Sequence, residues 1–288
     1  MSFLSLRIRS GIQTENWNSI PPLVEAQIRM GNHLAGDPSL LRQLVRRAYY
    51  SVALLDLERY LNVAGLEVGD LSGISAELTQ ATEDWPLDRT VEWERVEALE
   101  PIYWKSKKLF LAYDFDFADP NLLEDRKPDI WKQTFEQMKV ILYRFSGLAD
   151  LDLLYLLGAY EQIENASSKS LKSISDLTEN WASIEPGSDG HRFYYWSEML
   201  LPGWDKFFDR WVETHAKLRA ATAAVAVTRY RIDHGGKLPG SLVELVPEYL
   251  AEVPLEPRSN KSFELIQTGH GFGIGRGAPL FSVVISEP

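Results

Sequence analysis

Four glutamates, Glu92, Glu94, Glu97 and Glu100, cluster beside Trp93 and Trp104. Paired carboxyls next to aromatic rings are what glycoside hydrolysis uses: one acid protonates the leaving oxygen and the other acts as nucleophile or base. Glu92 and Glu97 are the catalytic candidates on this reading. The plainer reading is a hydrated helix face carrying Arg95 among its acids. A second acidic run, Asp114, Asp116 and Asp119, has the oxygen ligands that a hard cation such as calcium takes. It lacks the glycine and the later glutamate of an EF-hand loop. Phe115 and Phe117 alternate with these acids, which also suits a half-buried strand or loop edge.

Other chemistry finds less support. The five histidines, His33, His191, His215, His234 and His270, are scattered, and none has the H-E-x-x-H spacing of a zinc site. Gly269, Gly271, Gly273, Gly275 and Gly277 miss the G-x-G-x-x-G spacing of a dinucleotide site, and a strand-like run follows them. No nucleophile elbow and no P-loop occurs. With no cysteine, disulfides, thiolate catalysis and zinc–thiolate sites are all excluded. The expectation is a chain with no cofactor and no resident metal.

Nine tryptophans are many for 288 residues. They read mainly as core, although exposed rings would serve as binding hot spots. The net charge of −11, without a basic stripe, argues against nucleic acid and against an anionic membrane surface. No apolar run is long enough for a transmembrane segment. No signal-peptide pattern occupies Met1–Gly11. The chain as it stands therefore reads as cytoplasmic, and as periplasmic or envelope-bound if a leader or anchor is missing from it.

The elements that would carry these residues are mostly helices. Pro21–Pro22 opens one helical spacing, and Asp37–Pro38 reads as the N-cap and first residue of another. Leu41, Leu44, Val45, Ala48, Val52 and Leu55 then form one apolar face through to Leu61. Further helices are expected from Asp70 to Thr82, from Asp88 to about Leu111 with a kink at Pro101, from Asp129 to about Phe145, and from Leu151 to about Ile163. Ser167–Ser175 reads as a loop or helix start, and Pro186–Gly190 as a surface linker. Trp204–Asp233 reads as one long helix, rich in small residues between Ala220 and Val227, ended by His234-Gly235-Gly236. Ser241 and Glu244 have the spacing of a capping box. Strand-like runs follow at Ser262–Gln267, Gly271–Gly275 and Pro279–Ser286, the first two joined by a tight turn at Thr268–His270.

Residues 208–288 carry a composite pattern: Arg229-Tyr230-Arg231-Ile232-Asp233-His234-Gly235, then Lys237-Leu238-Pro239, then Ser241 through Leu250, then Val253-Pro254-Leu255-Glu256-Pro257, and finally Gly269–Gly273 before a last strand. This stretch resembles the periplasmic part of the major pseudopilin of type II secretion. It resembles still more the C-terminal module of a group of uncharacterised planctomycete-type proteins, whose helical region is similar to residues 20–200. The resemblance implies a helix followed by a small antiparallel sheet. Gly235, Pro239, Ser241 and Glu244 are its structural positions. The assembly segment and calcium loop of pseudopilins have no counterpart, and Glu256 stands where their turn carries aspartate.

The expected fold is mainly α: a multi-helix bundle whose long C-terminal helix packs on a small antiparallel β-sheet. A helical domain (1–200) and a helix-plus-sheet module (203–288) would pack as one unit. The expected function is a non-enzymatic, envelope-associated or secretion-related protein-interaction module with a protein partner. A polysaccharide hydrolase using the clustered carboxylates and a structural subunit of a larger complex are the alternatives.

Overall fold

The computed structural model describes residues 3–62, 68–83, 87–104, 146–184 and 194–285. The protein is a mainly α-helical bundle with a small antiparallel sheet at its C-terminal end. Helices α1 (Phe3–Gln13), α2 (Pro21–His33), α3 (Leu40–Leu61) and α4 (Val68–Glu83) share one apolar core. Helices α5 (Leu87–Trp104), α6 (Leu148–Ser167) and α7 (Leu171–Glu179), with the short α8 (Tyr195–Leu200), surround another. Helix α9 (Trp204–Asp233) belongs to both. The expected helix over Asp129–Phe145 and the linker at Pro186–Gly190 lie outside the described residues.

The two halves of α9 differ in side-chain size. Its first half packs Trp204, Phe207, Phe208 and Trp211 among Tyr160, Trp181 and Leu201. The Trp204 and Phe208 rings stack at 5.2 Å, and Trp204 meets Tyr160 edge-on at 6.2 Å. Its second half buries Ala220, Ala221, Ala223 and Ala224 with Val225 and Val227, in the core that also holds Phe272, Ile274, Phe281 and Val283 of the sheet. Alanines allow close approach of another element, and large side chains from the sheet fill the space. The helix ends in a Schellman arrangement. Gly236 N–H donates to the Arg231 carbonyl at 2.7 Å, Gly235 N–H to that of Ile232 at 3.4 Å, and Gly235 takes φ +64°. Just beyond, Tyr249 packs edge-on against Tyr230 and donates its hydroxyl to Asp233 at 2.9 Å.

Strands β1 (Leu255–Glu256) and β2 (Lys261–Ser262) form a small ribbon. Strands β3 (Glu264–Thr268), β4 (Gly271–Arg276) and β5 (Ala278–Val284) make the three-stranded antiparallel sheet in that order. Thr268 pairs with Gly271, so Gly269–His270 is a two-residue hairpin loop. Alternation along β4 turns Phe272 and Ile274 to the core and three glycines to the other side. A Cβ on Gly271 would stand 2.0 Å from the Val283 carbonyl oxygen, and one on Gly275 2.0 Å from that of Ala278. The glycine run is therefore a condition of strand packing, not a ligand loop.

Helix α3 departs from its sequence pattern in two ways. Its cap is Ser39, whose hydroxyl accepts the Arg42 N–H, two residues past the expected Asp37. Asp37 instead accepts the Ser39 N–H at 3.0 Å. More consequentially, the apolar face points outward from Leu41 to Leu55, with Leu41 71% exposed, Leu55 53%, Val45 42% and Leu44 36%, and only its end at Leu57 and Leu61 is buried. Inward go Gln43, Arg46, Tyr50, Asp56 and Tyr60, together with Ala53, Leu54, Leu57 and Leu61. Several of the buried polar groups bond to α2 or within α3. Tyr50 hydroxyl donates to Asn32 at 2.7 Å, Arg46 Nε to Tyr50 at 3.0 Å, and Asp56 accepts from Gln27 at 3.1 Å and from Arg59 at 2.8 Å. Buried groups of this kind are tolerable only when paired. Pairing with α2 fixes the rotation of α3 against the pull of its own leucines.

Enlarging the alanine half of α9 should separate it from its neighbours. Ala224→Leu is expected to cost about 1–3 kcal/mol in urea unfolding, as overpacking of a filled core does. An unchanged midpoint would mean that this face has room.

Candidate functional site

Among the catalytic candidates, Glu92 lies on the exposed side of α5 and lines an open groove of about 530 Å³ against α6, with Asp88, Glu161 and Glu164. Glu97 is exposed and does not line it. Trp93 is 47% exposed and is not part of the groove wall either. Glu164 is held by Arg95 at 2.5 Å. A general acid at neutral pH needs a carboxyl held away from water. Both Glu92 and Glu161 are exposed. Glu94, from the same cluster, serves the fold. Its carboxylate accepts the Leu40 N–H at 2.8 Å, satisfying the first turn of α3. Asp114, Asp116 and Asp119 lie outside the described residues. Among the described residues no group of acids or histidines has the arrangement of a metal site.

The four structural positions sit together after α9. Pro239 is buried, and its carbonyl accepts from Gln267 at 3.0 Å, tying this loop to β3. Ser241 precedes a 3₁₀ turn, Leu242–Leu245, and its hydroxyl makes no cap bond. Glu244 reaches back to the Gly240 N–H at 2.9 Å, one residue before the position a capping box would use. Glu256 fills the role of a turn aspartate. Its carboxylate accepts the N–H groups of Arg258 at 3.0 Å and Ser259 at 2.6 Å. Burial works to raise the Glu256 pKa, but the bonds from Ser259 and Arg258 outweigh it and leave it lowered.

A different place gathers chemistry that no motif in the sequence marks. A cleft of about 310 Å³ opens where the end of α4, the start of α5, the α6–α7 junction, the middle of α9 and the turn at Pro257–Asn260 meet. Lys169, Lys172, His215 and Arg219 line it, and no carboxylate does. Trp211, His215 and Arg219 are spaced by four and so share one face of α9. That polar break in an apolar stripe was the available sequence signal. Arg219 donates to the Leu255 carbonyl at 2.9 Å, fastening the turn to the helix. Its pKa is lowered by burial, against the opposing pull of Glu252 and Glu256. Ser170 caps α7 by accepting the Ser173 N–H at 3.1 Å.

His215 is fully enclosed beside Trp211, with ring centres 6.1 Å apart. Burial first, then the positive charges of Arg219 and Arg46, hold its imidazole well below the ordinary 6.5. The folded protein therefore keeps His215 neutral where the unfolded chain would protonate it. Stability from this source is intact above about pH 6.5 and is lost as pH falls below that, by at most about 1.4 kcal/mol per pH unit. In urea unfolding between about pH 7.5 and pH 5, His215→Gln should show a shallower loss than the native protein. Parallel loss in both proteins would show that His215 is not held neutral.

No protein-family model matches the chain, and neither a curated protein nor a solved structure matches it.

Proposed function

We propose that this protein is a non-enzymatic assembly module that docks through the outward face of α3, and that the occupant of that face is a second copy of the chain. The outward apolar face of α3 carries the reading. Helices ordinarily bury such a stripe, and contiguous exposed apolar surface marks interaction sites. Leu41, Ala48 and Leu55 recur every seven residues, with Leu44, Val45 and Val52 between them. Residues 41–55 span about 21 Å of helix.

The ends of the stripe mirror each other. Reversed about Ala48, Leu41 meets Leu55 and Leu44 meets Val52, while Val45 meets Ser51. An antiparallel pair related by a two-fold axis would put leucines at both ends and the smallest residue at the crossing, the isologous form most homodimers take. Charge does not oppose this. Arg42 is paired with Asp37 at 3.1 Å and Arg59 with Asp56 at 2.8 Å, so both are balanced within their own chain. One helix on one helix is a small interface, which fits a weak, concentration-dependent dimer and not an obligate one. The likeness of residues 208–288 to a pseudopilin module adds the cell envelope as the setting of this proposal. Among the described residues no helix is long and apolar enough to cross a membrane.

Sedimentation across a concentration series tests the proposal. The native chain should pass from monomer to dimer, and Leu41→Glu with Leu55→Glu should weaken the dimer by about a hundredfold or more. Both side chains point outward, so the variant should keep the native unfolding midpoint. A native chain that stays monomeric, or a double variant that dimerises as before, overturns the second copy as occupant.

A further inference from the structure

We propose that the cleft between the α6–α7 junction and the middle of α9 binds a small phosphorylated molecule. This rests on different residues from the α3 face, so either proposal can fail without the other. The first observation is a reversal of charge. A chain with 41 acidic and 30 basic residues encloses a cleft lined by Lys169, Lys172 and Arg219, with no acidic side chain in its wall.

The second observation is how little those cations are neutralised. Among the described residues, no carboxylate forms an ion pair with Lys169 or Arg219. Lys172 pairs with Asp176 of its own helix at 2.9 Å, a surface pair with both side chains about half exposed, of a kind that contributes little. Arg219 is half-buried, and one of its nitrogens holds Leu255. Glu256, the nearest structural acid in the turn, is committed to backbone N–H groups. Glu252 and Glu256 attract the Arg219 guanidinium without forming an ion pair with it, which leaves it able to bond a phosphate oxygen.

The third observation is the start of α7. Ser170 satisfies Ser173, and the N–H groups of Leu171 and Lys172 have no partner among the described residues. Both residues line the cleft. First-turn N–H groups favour anions. Size then narrows the class. A space of about 310 Å³ is about ten water volumes, larger than inorganic phosphate needs and suited to a phosphate monoester of a small polyol. Leu87, Ile174 and Pro257 give the rest of the wall an apolar character that a bare anion would not use.

Calorimetric titration of the full chain with inorganic phosphate, pyrophosphate and ribose 5-phosphate, at matched ionic strength, tests the assignment. Ribose 5-phosphate should bind saturably and more tightly than inorganic phosphate. Lys169→Glu, at an exposed position, should weaken it by about tenfold or more, while Lys261→Glu, an exposed cation on β2, should leave it unchanged. Arg219→Met should abolish binding. If it also unfolds the protein, the Lys169 and Lys261 pair still decides. Absence of saturable binding by all three probes, equal loss in the two lysine variants, or ribose 5-phosphate binding no more tightly than inorganic phosphate would each overturn the assignment.

Discussion

The rest of the molecule depends on α9 reaching both cores at once. Thirty residues of helix extend about 45 Å, long enough for its aromatic half and its alanine half to serve different neighbours. A three-stranded sheet of short strands has too little apolar surface to stand alone. It holds here because Phe272, Ile274, Phe281 and Val283 find a helix face with almost no side chains in the way. Trp204, Phe208 and Trp211 do the opposite at the other end, filling a space that α6 and the Trp181 turn leave wide. The step from large to small side chains along one helix sets which elements can pack where.

Carboxylates that cross between elements tie some of the remaining helices to one another. Asp152, buried on α6, accepts the N–H groups of Trp196 at 2.6 Å and Ser197 at 3.1 Å, closing the start of α8. Glu94 on α5 does the same for α3. Such caps satisfy N–H groups that a helix cannot satisfy itself. Coming from another helix, each also fixes the relative position of two segments. An acidic sequence thus spends part of its negative charge on architecture. That accounts for Glu94 within a cluster whose sequence resembles a catalytic one.

Much of the architecture was legible in the sequence for local reasons. The ends of α9, the Gly235 turn and the β3–β4 hairpin follow from residues within a few positions of each other. The bounds of α3 were equally plain, since Leu40–Leu61 carries an unbroken helical period. Its rotation was not. Six apolar residues on one face ordinarily decide which way a helix points; here Ala53, Leu54, Leu57 and Leu61 pack inward instead, and Asn32 and Gln27 of α2 bond Tyr50 and Asp56 on that same side. Those partners lie partly on other helices, so no window of sequence contains the contest. The cleft was hidden for the same reason. Lys169, Arg219 and Pro257 are far apart in the chain, and only the fold makes them one wall.

Local pattern and global fold agree over most of the chain, and the two places where they part are the ones that carry the functional proposals. Exposing a leucine stripe forgoes burial worth about 1.5–3 kcal/mol for each large side chain, and burying Arg46 and Asp56 beside Leu54 and Leu57 adds desolvation. Lys169, Lys172 and Arg219 line one cleft with no acid in its wall, and among the described residues their only ion pair is the exposed Lys172–Asp176 contact. Sequences that fold well tend to be consistent at every level, and departures concentrate where something other than stability is served. The outward face of α3 is apolar and balanced in charge, as a protein contact needs to be. The cleft is positive and lined by no acid, as a small anion needs. Each departure matches the chemistry of one kind of ligand and is unsuited to the other, which is why the two proposals are kept separate.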